Sequence, residues 1–280
     1  MFSLRRGLVL AQAGGVLGHG SHRHVLYVQR TQKAGVSIHS PSAPPAPCVR
    51  PTFTVVIPTL NEARVIESTL QLTLERGFDD IVVVDGGSTD GTAALIEAVA
   101  ARIESVRLLS SAPGRARQLN AGAAATRGAV LLFLHADSQL PPGAKQALEH
   151  AVSDPRVVGG RFDVRFDRPS MWGGIISTCM NIRSRISRIS TGDQAIFVRR
   201  PIFERLGGYT DIPIMEDIDF SSRLKQAGRI AALRDCVMTS FRRWERNGPV
   251  RTILLMWSLR FLYWIGVRPH TLARFYAAVR

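Results

Sequence analysis

Cysteine is scarce in this 280-residue chain: Cys48, Cys179 and Cys236 are odd in number and show no CxxC spacing. That excludes a disulfide framework and a zinc site built on paired thiolates, leaving three free thiols. Long apolar runs are missing as well. TILLMWSLRFLYWIGV, residues 252–267, is sixteen residues long with Arg260 inside it, short of the roughly twenty that a membrane span needs. Acids are absent from the first 52 residues, which hold six Lys or Arg, and from residue 240 onward eight Arg meet one Glu. The formal charge of +14 therefore resides at the two ends, and the middle balances 22 basic against 21 acidic residues. A fold built to grip a duplex spreads its charge over a folded face, and no helix-turn-helix, zinc-finger or RNA-binding signature occurs, so nucleic acid is not an expected partner. Neither GxGxxG leading into a helix nor GxxxxGK[ST] is present, which disfavours dinucleotide binding and excludes a P-loop.

What is there is regular from Phe53 onward. Residues 1–52 combine Arg5 and Arg6, a broken apolar patch and the linker PSAPPAP. This segment reads either as an organelle transit peptide or as a disordered leader. TVVIP, IVVVD, VRLLS and the run beginning at Val130 read as strands, alternating with helical patterns over 63–76, 92–102 and 115–126. Such alternation predicts an α/β fold with a largely parallel sheet. FDVRF predicts a half-exposed strand, followed by a helix over 171–186, the strand AIFVRR and a helix over 217–227. The aromatic and Arg-flanked run at 252–267 suits either a helix packed on the sheet or one lying in a membrane interface.

Chemistry is written at the strand ends, where open parallel sheets bind ligands. VVIPTLNE places Pro58, Asn61 and Glu62 in a turn, and VVVDGGSTDGT places Asp85 at a strand tip. VLLFLHADSQL ends a buried strand on His135 and Asp137. Asp85 suits a hydrogen bond from a base imide or a ribose hydroxyl, and equally a cap on its own turn. Asp137 suits a divalent cation on a diphosphate, since magnesium or manganese takes one or two protein carboxylates and completes its shell with phosphate oxygens and water; a helix cap near Pro141 is the alternative. MEDIDFSSRL crowds Glu216, Asp217 and Asp219, either to complement a helix dipole or to supply a general base with a tuned pKa.

In order and at these intervals, VVIPTLNE, VVVDGGSTDGT, LFLHADSQL and MEDIDFSSRL resemble the inverting glycosyltransferases of family 2. The match runs from about Phe53 to Trp244. GRARQLNAGAAATRG, TGDQAIFVRR and FRRWERNG resemble a short, single-domain branch of that family linked with arsenosugar biosynthesis. The resemblance implies a GT-A fold, with a mixed, mostly parallel sheet flanked by helices and the nucleotide site at the carboxyl ends of the strands. It implies a transferase domain over 53–244 and a C-terminal basic and aromatic helical segment over 245–280. It also implies that Pro58, Leu60, Glu62, Asp85 and Arg117 bind the nucleotide, that Asp137 takes Mn2+ or Mg2+, and that Asp217 is the base with Glu216 beside it. His135 stands where the family has the first acid of Asp-x-Asp. Asp163, Asp193, Gln194, Arg243 and Trp244 are expected on the acceptor side, and without QxxRW a single transfer is expected. The implied donor is a UDP- or GDP-sugar, and the acceptor a hydroxyl, lipid-linked or otherwise membrane-proximal. The basic ends suit an anionic membrane surface, so the expected location is cytoplasmic or peripheral on a membrane, with organelle import as the consequence of the transit reading. The competing readings are a sugar-1-phosphate nucleotidyltransferase, which needs a glycine-rich loop that IPTLNEAR lacks, and a non-catalytic nucleotide-sugar-binding domain, which would have lost its acids.

Overall fold

A computed structural model describes residues 51–279. The leader expected over 1–52, with its PSAPPAP linker and Cys48, lies outside the described residues apart from Pro51 and Thr52. In the first half four strands alternate with three helices: β1 (Phe53–Thr59), α1 (Ile66–Glu75), β2 (Ile81–Asp85), α2 (Thr92–Ala100), β3 (Val106–Ser110), α3 (Arg115–Ala124) and β4 (Val130–Phe133). β1, β2 and β4 are buried along their whole lengths, as continuous apolar runs require when both faces of a strand are covered. The second half adds β5 (Ser138–Gln139), α4 (Ala144–Ser153), β6 (Val157–Phe166), α5 (Met171–Ser187), a 3₁₀ turn (Gly192–Gln194), β7 (Ile196–Arg199), α6 (Arg200–Arg205), α7 (Glu216–Ala227), β8 (Arg229–Thr239), α8 (Arg242–Asn247), α9 (Pro249–Trp264) and α10 (Pro269–Val279).

The sheet runs β3-β2-β1-β4-β7-β6-β8-β5. β3, β2, β1 and β4 are parallel to one another, β7 is antiparallel to both of its neighbours, and β6 and β8 are again parallel. Alternate strand residues point to opposite faces, so two cores form. Val55, Ile57, Ile81 and Val83 meet Ile66 and Leu70 of α1, Ile96 of α2 and Leu148 of α4. Val56, Val82, Val84 and Phe133 meet Leu119 of α3, Phe203 of α6 and Phe220 of α7 on the other side. Each fully buried aliphatic side chain of this kind contributes about 1.5–3 kcal/mol.

Three expectations need correction. Pro58 lies inside β1, paired in register with Val84, not in the following turn. α1 begins at Ile66 instead of residue 63, because the backbone N–H groups of Glu62 and Ala63 donate to Thr92 and Asp90 (2.9 and 3.1 Å) and hold that stretch as a turn. β6 is longer than FDVRF and buried over its first eight residues, not half-exposed. Its charged pattern misleads because Arg161 and Asp163 pair with each other in the interior, and Arg185 closes on Asp163 as well.

Candidate active site

Two loops at the carboxyl ends of β1 and β2 are laced together by short polar side chains. Asp85, 5% exposed, accepts hydrogen bonds on one oxygen from the backbone N–H groups of Gly87 and Ser88, both at 2.9 Å. The Ser88 hydroxyl donates to the other. Gly87 and Gly91 have φ of 94° and 90°, a region that costs glycine nothing, so the loop turns without strain. Asn61 crosses from the β1 side, donating its N–H to Ser88 Oγ (2.9 Å) and accepting from the Thr89 N–H (2.8 Å). Beneath both loops, buried Gln118 of α3 donates to the carbonyls of Thr59 and Val84 at 2.7 and 2.8 Å. The strand ends are thus pinned by a side chain from a third element.

The next strand releases its acid for a reason that lies in β1. Leu134 N–H donates to the Val56 carbonyl at 3.0 Å, the last rung of the β1–β4 ladder. The following rung needs an N–H from residue 58, and proline has none. β4 therefore leaves the ladder, and His135, Ala136 and Asp137 form the exit. His135 Nδ1 lies 3.1 Å from Asp193 Oδ1 in the 3₁₀ turn. Asp137 Oδ2 lies 3.5 Å from the Arg242 guanidinium, which also donates to Glu62 at 3.2 Å. Burial, then the charge of Asp137, push the Glu62 carboxyl above its usual range, while the Arg242 hydrogen bond pulls it back. A cleft of about 240 Å³ opens beside this group, bordered by Asp137, Gln139, Asp167, Arg168, Ser240 and Arg242.

The third component is the start of α7. Met215, 6% exposed, holds a left-handed φ of 71° immediately before it. A non-glycine residue pays of order 1–3 kcal/mol for such a conformation, and the packing of Met215 against Leu259 of α9 and Leu272 of α10 keeps it there. The turn aims Glu216 and Asp217 in different directions. Glu216, buried, pairs with Arg115 at 3.3 Å; burial raises its carboxyl, Arg115 opposes that, and Asp217 adds to the rise. Asp217 accepts from the N–H of Gly192 (2.9 Å) and of Ile218 (2.7 Å). At Gly192 a Cβ would come within 2.2 Å of His135 Nε2, so the close approach of the turn to His135 requires glycine. Burial works to raise Asp193, yet the His135 hydrogen bond and charge, with Arg243 and Arg115 behind, outweigh it and hold that carboxyl well below the ordinary range.

The acids therefore fall in three contact groups linked along the backbone, Asp85 with Ser88 and Asn61, Glu62 with Arg242 and Asp137, and His135 with Asp193, beside Gly192 and Asp217. Leu60, 48% exposed, sits on this rim, whereas Pro58 is buried in β1. Arg243 lies over the Tyr276 ring at 6.0 Å, and Trp244 packs on Phe166 and Phe241. Three expected residues stand apart from these groups. Arg117 pairs with Asp211 at 2.9 Å on the surface. Asp163 is consumed by Arg161 and Arg185. Gln194, 0% exposed, bonds Ser184 at 2.9 Å and caps its own turn.

Arg115, Gln118 and Arg242 contact the candidate acids or their loops, although none of them is among the site residues expected from the sequence. The first two had a signal: positions 115, 118, 119 and 122 share one face of α3, the face that holds buried Gln118, Leu119 and Gly122, while 117 points elsewhere. Arg242 meets Glu62 across 180 residues, and FRRWERNG does not say which of its arginines does so. Among the described residues no group of three His, Cys, Asp or Glu fits a metal ion. The donor set here is one partly exposed carboxylate, Asp137, which suits a hard cation only where a substrate supplies further oxygens.

Residues 54–207 match the model of the family described as Glycosyl transferase family 2. The chain is 30% identical over 203 residues to an uncharacterized protein of Mycobacterium tuberculosis, covering 62% of each chain. It is also 30% identical over 184 residues to a PGL/p-HBAD biosynthesis glycosyltransferase of Mycobacterium bovis, covering 62% of this chain and 69% of that one. Among solved structures, mannosyltransferase PcManGT from Pyrobaculum calidifontis, in complex with GDP-Man and Mn2+, superposes with a TM-score of 0.54 at 25% identity, over 70% of this chain and 59% of that one. S. aureus TarS 1-349 in complex with UDP-GlcNAc superposes at 0.56 with 18% identity, over 68% of this chain and 58% of that one, a likeness of fold alone. The GT-A fold implied by the resemblance to family 2 is thus the observed one. The chain spans less than two thirds of the first of these relatives and of both solved structures.

Proposed function

This chain belongs to glycosyl transferase family 2, and from that membership we propose that it moves one sugar from a nucleoside-diphosphate donor to an acceptor hydroxyl, with inversion at the anomeric carbon. The observation that carries the reading is three contact groups, Asp85 with Ser88 and Asn61, Glu62 with Arg242 and Asp137, and His135 with the Asp193 turn that holds Asp217, set side by side at the carboxyl ends of β2, β1 and β4 by the adjacency of Asn61 to Glu62 and of His135 to Asp137. The Asp85 loop holds the nucleoside end, with the exposed rim of Leu60 facing the donor. Asp137, with diphosphate oxygens, is the residue that would hold Mn2+ or Mg2+, and such an ion supplies positive charge to offset the departing diphosphate. The GDP-Man and Mn2+ of the Pyrobaculum enzyme support this choice of donor class and cation. Arg242 brings a fixed positive charge to the same carboxylate.

Asp217 is the general base. Its two N–H donors hold the carboxylate in one orientation, and the remaining lone pairs accept the proton of the attacking hydroxyl. Glu216 does not share that task, because its charge is engaged by Arg115. The transferase core is residues 53–244, with 245–280 bracing the Asp217 turn. The narrower arsenosugar placement rests on its motifs alone. The test is thermal stabilisation by GDP- and UDP-sugars with and without Mn2+, followed by turnover of the stabilising donor. Asp217→Asn should keep the stabilisation and lose turnover by about a thousandfold or more. Stabilisation by no nucleotide sugar, or full turnover in that variant, would overturn the reading.

A further inference from the structure

The largest unexplained feature lies away from the acids. α9 is apolar on two sides. One side, with Leu255, Leu259 and Leu262, packs on Met215 and Leu272. The other carries Val250, Leu254, Trp257, Phe261 and Trp264, spaced three or four residues apart and exposed, Trp257 at 70% and Trp264 at 80%. α5 repeats the arrangement. Met171 (75% exposed), Ile175, Ile182 and Ile186 (80%) form a single stripe, with Trp172 beside it. Three of the chain's four tryptophans therefore lie on these exposed stripes. Isolated exposed apolar residues are ordinary, but two parallel-spaced stripes on neighbouring helices are not.

The segments that lead into the two helices are tied to each other. Arg168, just before α5, pairs with Glu245 of α8 at 2.9 Å, and Phe166 packs on Trp244 at 6.0 Å. Farther along, Arg183 of α5 and Arg260 of α9 lie within electrostatic reach: burial first, then the Arg260 charge, hold the Arg183 guanidinium down at about 10. Neither helix contains an Asp or Glu. Their ends and flanks instead present exposed Arg188, Arg246, Arg251, Arg268 and, on α10, Arg274. Apolar stripes rich in tryptophan, rimmed by Arg and free of acids, match the chemistry of a headgroup and acyl boundary bearing negative charge. No helix among the described residues is long and apolar enough to cross a bilayer.

We propose that α5 and α9 together form an interfacial docking face for an anionic lipid bilayer, with the apolar stripes entering the headgroup boundary and the flanking arginines reading its charge. The inference stands on these helices and does not depend on the transferase reading. Its test is sedimentation of the full chain with vesicles of phosphatidylcholine, with and without phosphatidylglycerol, alongside tryptophan fluorescence. The full chain should pellet with the anionic vesicles at low salt with a blue shift in emission, and bind neutral ones far more weakly. Paired charge substitutions at exposed sites, Trp257→Glu with Trp264→Glu on α9 and, separately, Ile182→Glu with Ile186→Glu on α5, should each weaken partitioning by about tenfold or more with unchanged circular dichroism. The two pairs lie on different helices, so misfolding of one leaves the other decisive. Failure of the wild-type chain to pellet, or binding by both folded variants equal to that of the wild-type chain, overturns the proposal. So does a concentration-dependent dimer that the same substitutions abolish in a chain that ignores vesicles, since the stripes would then cover a second copy.

Discussion

At the scale of single residues, the site depends on a few atoms that no other side chain replaces. Pro58 ends a hydrogen-bond ladder by lacking an N–H, and so lets Asp137 leave the sheet. Arg242 stands between Glu62 and Asp137 and keeps two carboxylates from facing each other unshielded. Gly192 both donates to Asp217 and admits His135 against its α-carbon. Gly192→Ala would press a methyl group into the imidazole and shift the turn that orients Asp217. Misplacing a reacting group by about 1 Å costs on the order of a hundredfold in rate. The expected result is a fall of that size in kcat with donor binding little changed, read by steady-state kinetics and by nucleotide-sugar titration.

At the scale of elements, charge fixes how the second half of the sheet is joined. Asp154, at the turn between α4 and β6, accepts from the Arg156 side chain and backbone and from Arg229 at the start of β8. These contacts, the Arg156 hydrogen bonds foremost, lower its carboxyl from 3.8 to about 2. A carboxyl depressed on folding contributes stability above its ordinary value and loses it as pH falls through the folded one. Asp154→Asn should therefore flatten the loss of stability between pH 3.8 and about 2, measured by urea unfolding across that window, and leave the neutral-pH activity intact. The same reasoning explains why β6 reads as half-exposed in the sequence. Alternating charges signal solvent only when they have no internal partner, and Arg161, Asp163 and Arg185 supply one another.

At the scale of the molecule, the C-terminal helices serve the site from behind. Leu259 and Leu272, 2% and 0% exposed, hold Met215 in its left-handed conformation, and Met215 sets where Glu216 and Asp217 emerge. Leu272→Ala should cost about 2–5 kcal/mol of stability, seen as an earlier chemical unfolding transition. The first four strands with their three helices, the fold class and the positions of Asp85, Asp137 and Asp217 at element ends were legible in the chain, because burial on both faces writes continuous apolar runs and turns demand particular residues; β8 and α4 were not, and the partly exposed β8 carries no such apolar run. Which acids share a rim was not. Asp163 carries the same charge as Asp193, yet one is spent on internal arginines and the other faces His135. Arg117 and Arg115 differ by two positions and point to opposite sides of α3. Local sequence determined most of the elements of the first half, since those depend on neighbours along the chain, while ends such as the start of α1 were set by contacts from Thr92 and Asp90. Only the tertiary structure decided how each charge is partnered, because that depends on contacts such as Glu62 with Arg242, which are close in space and 180 residues apart in sequence.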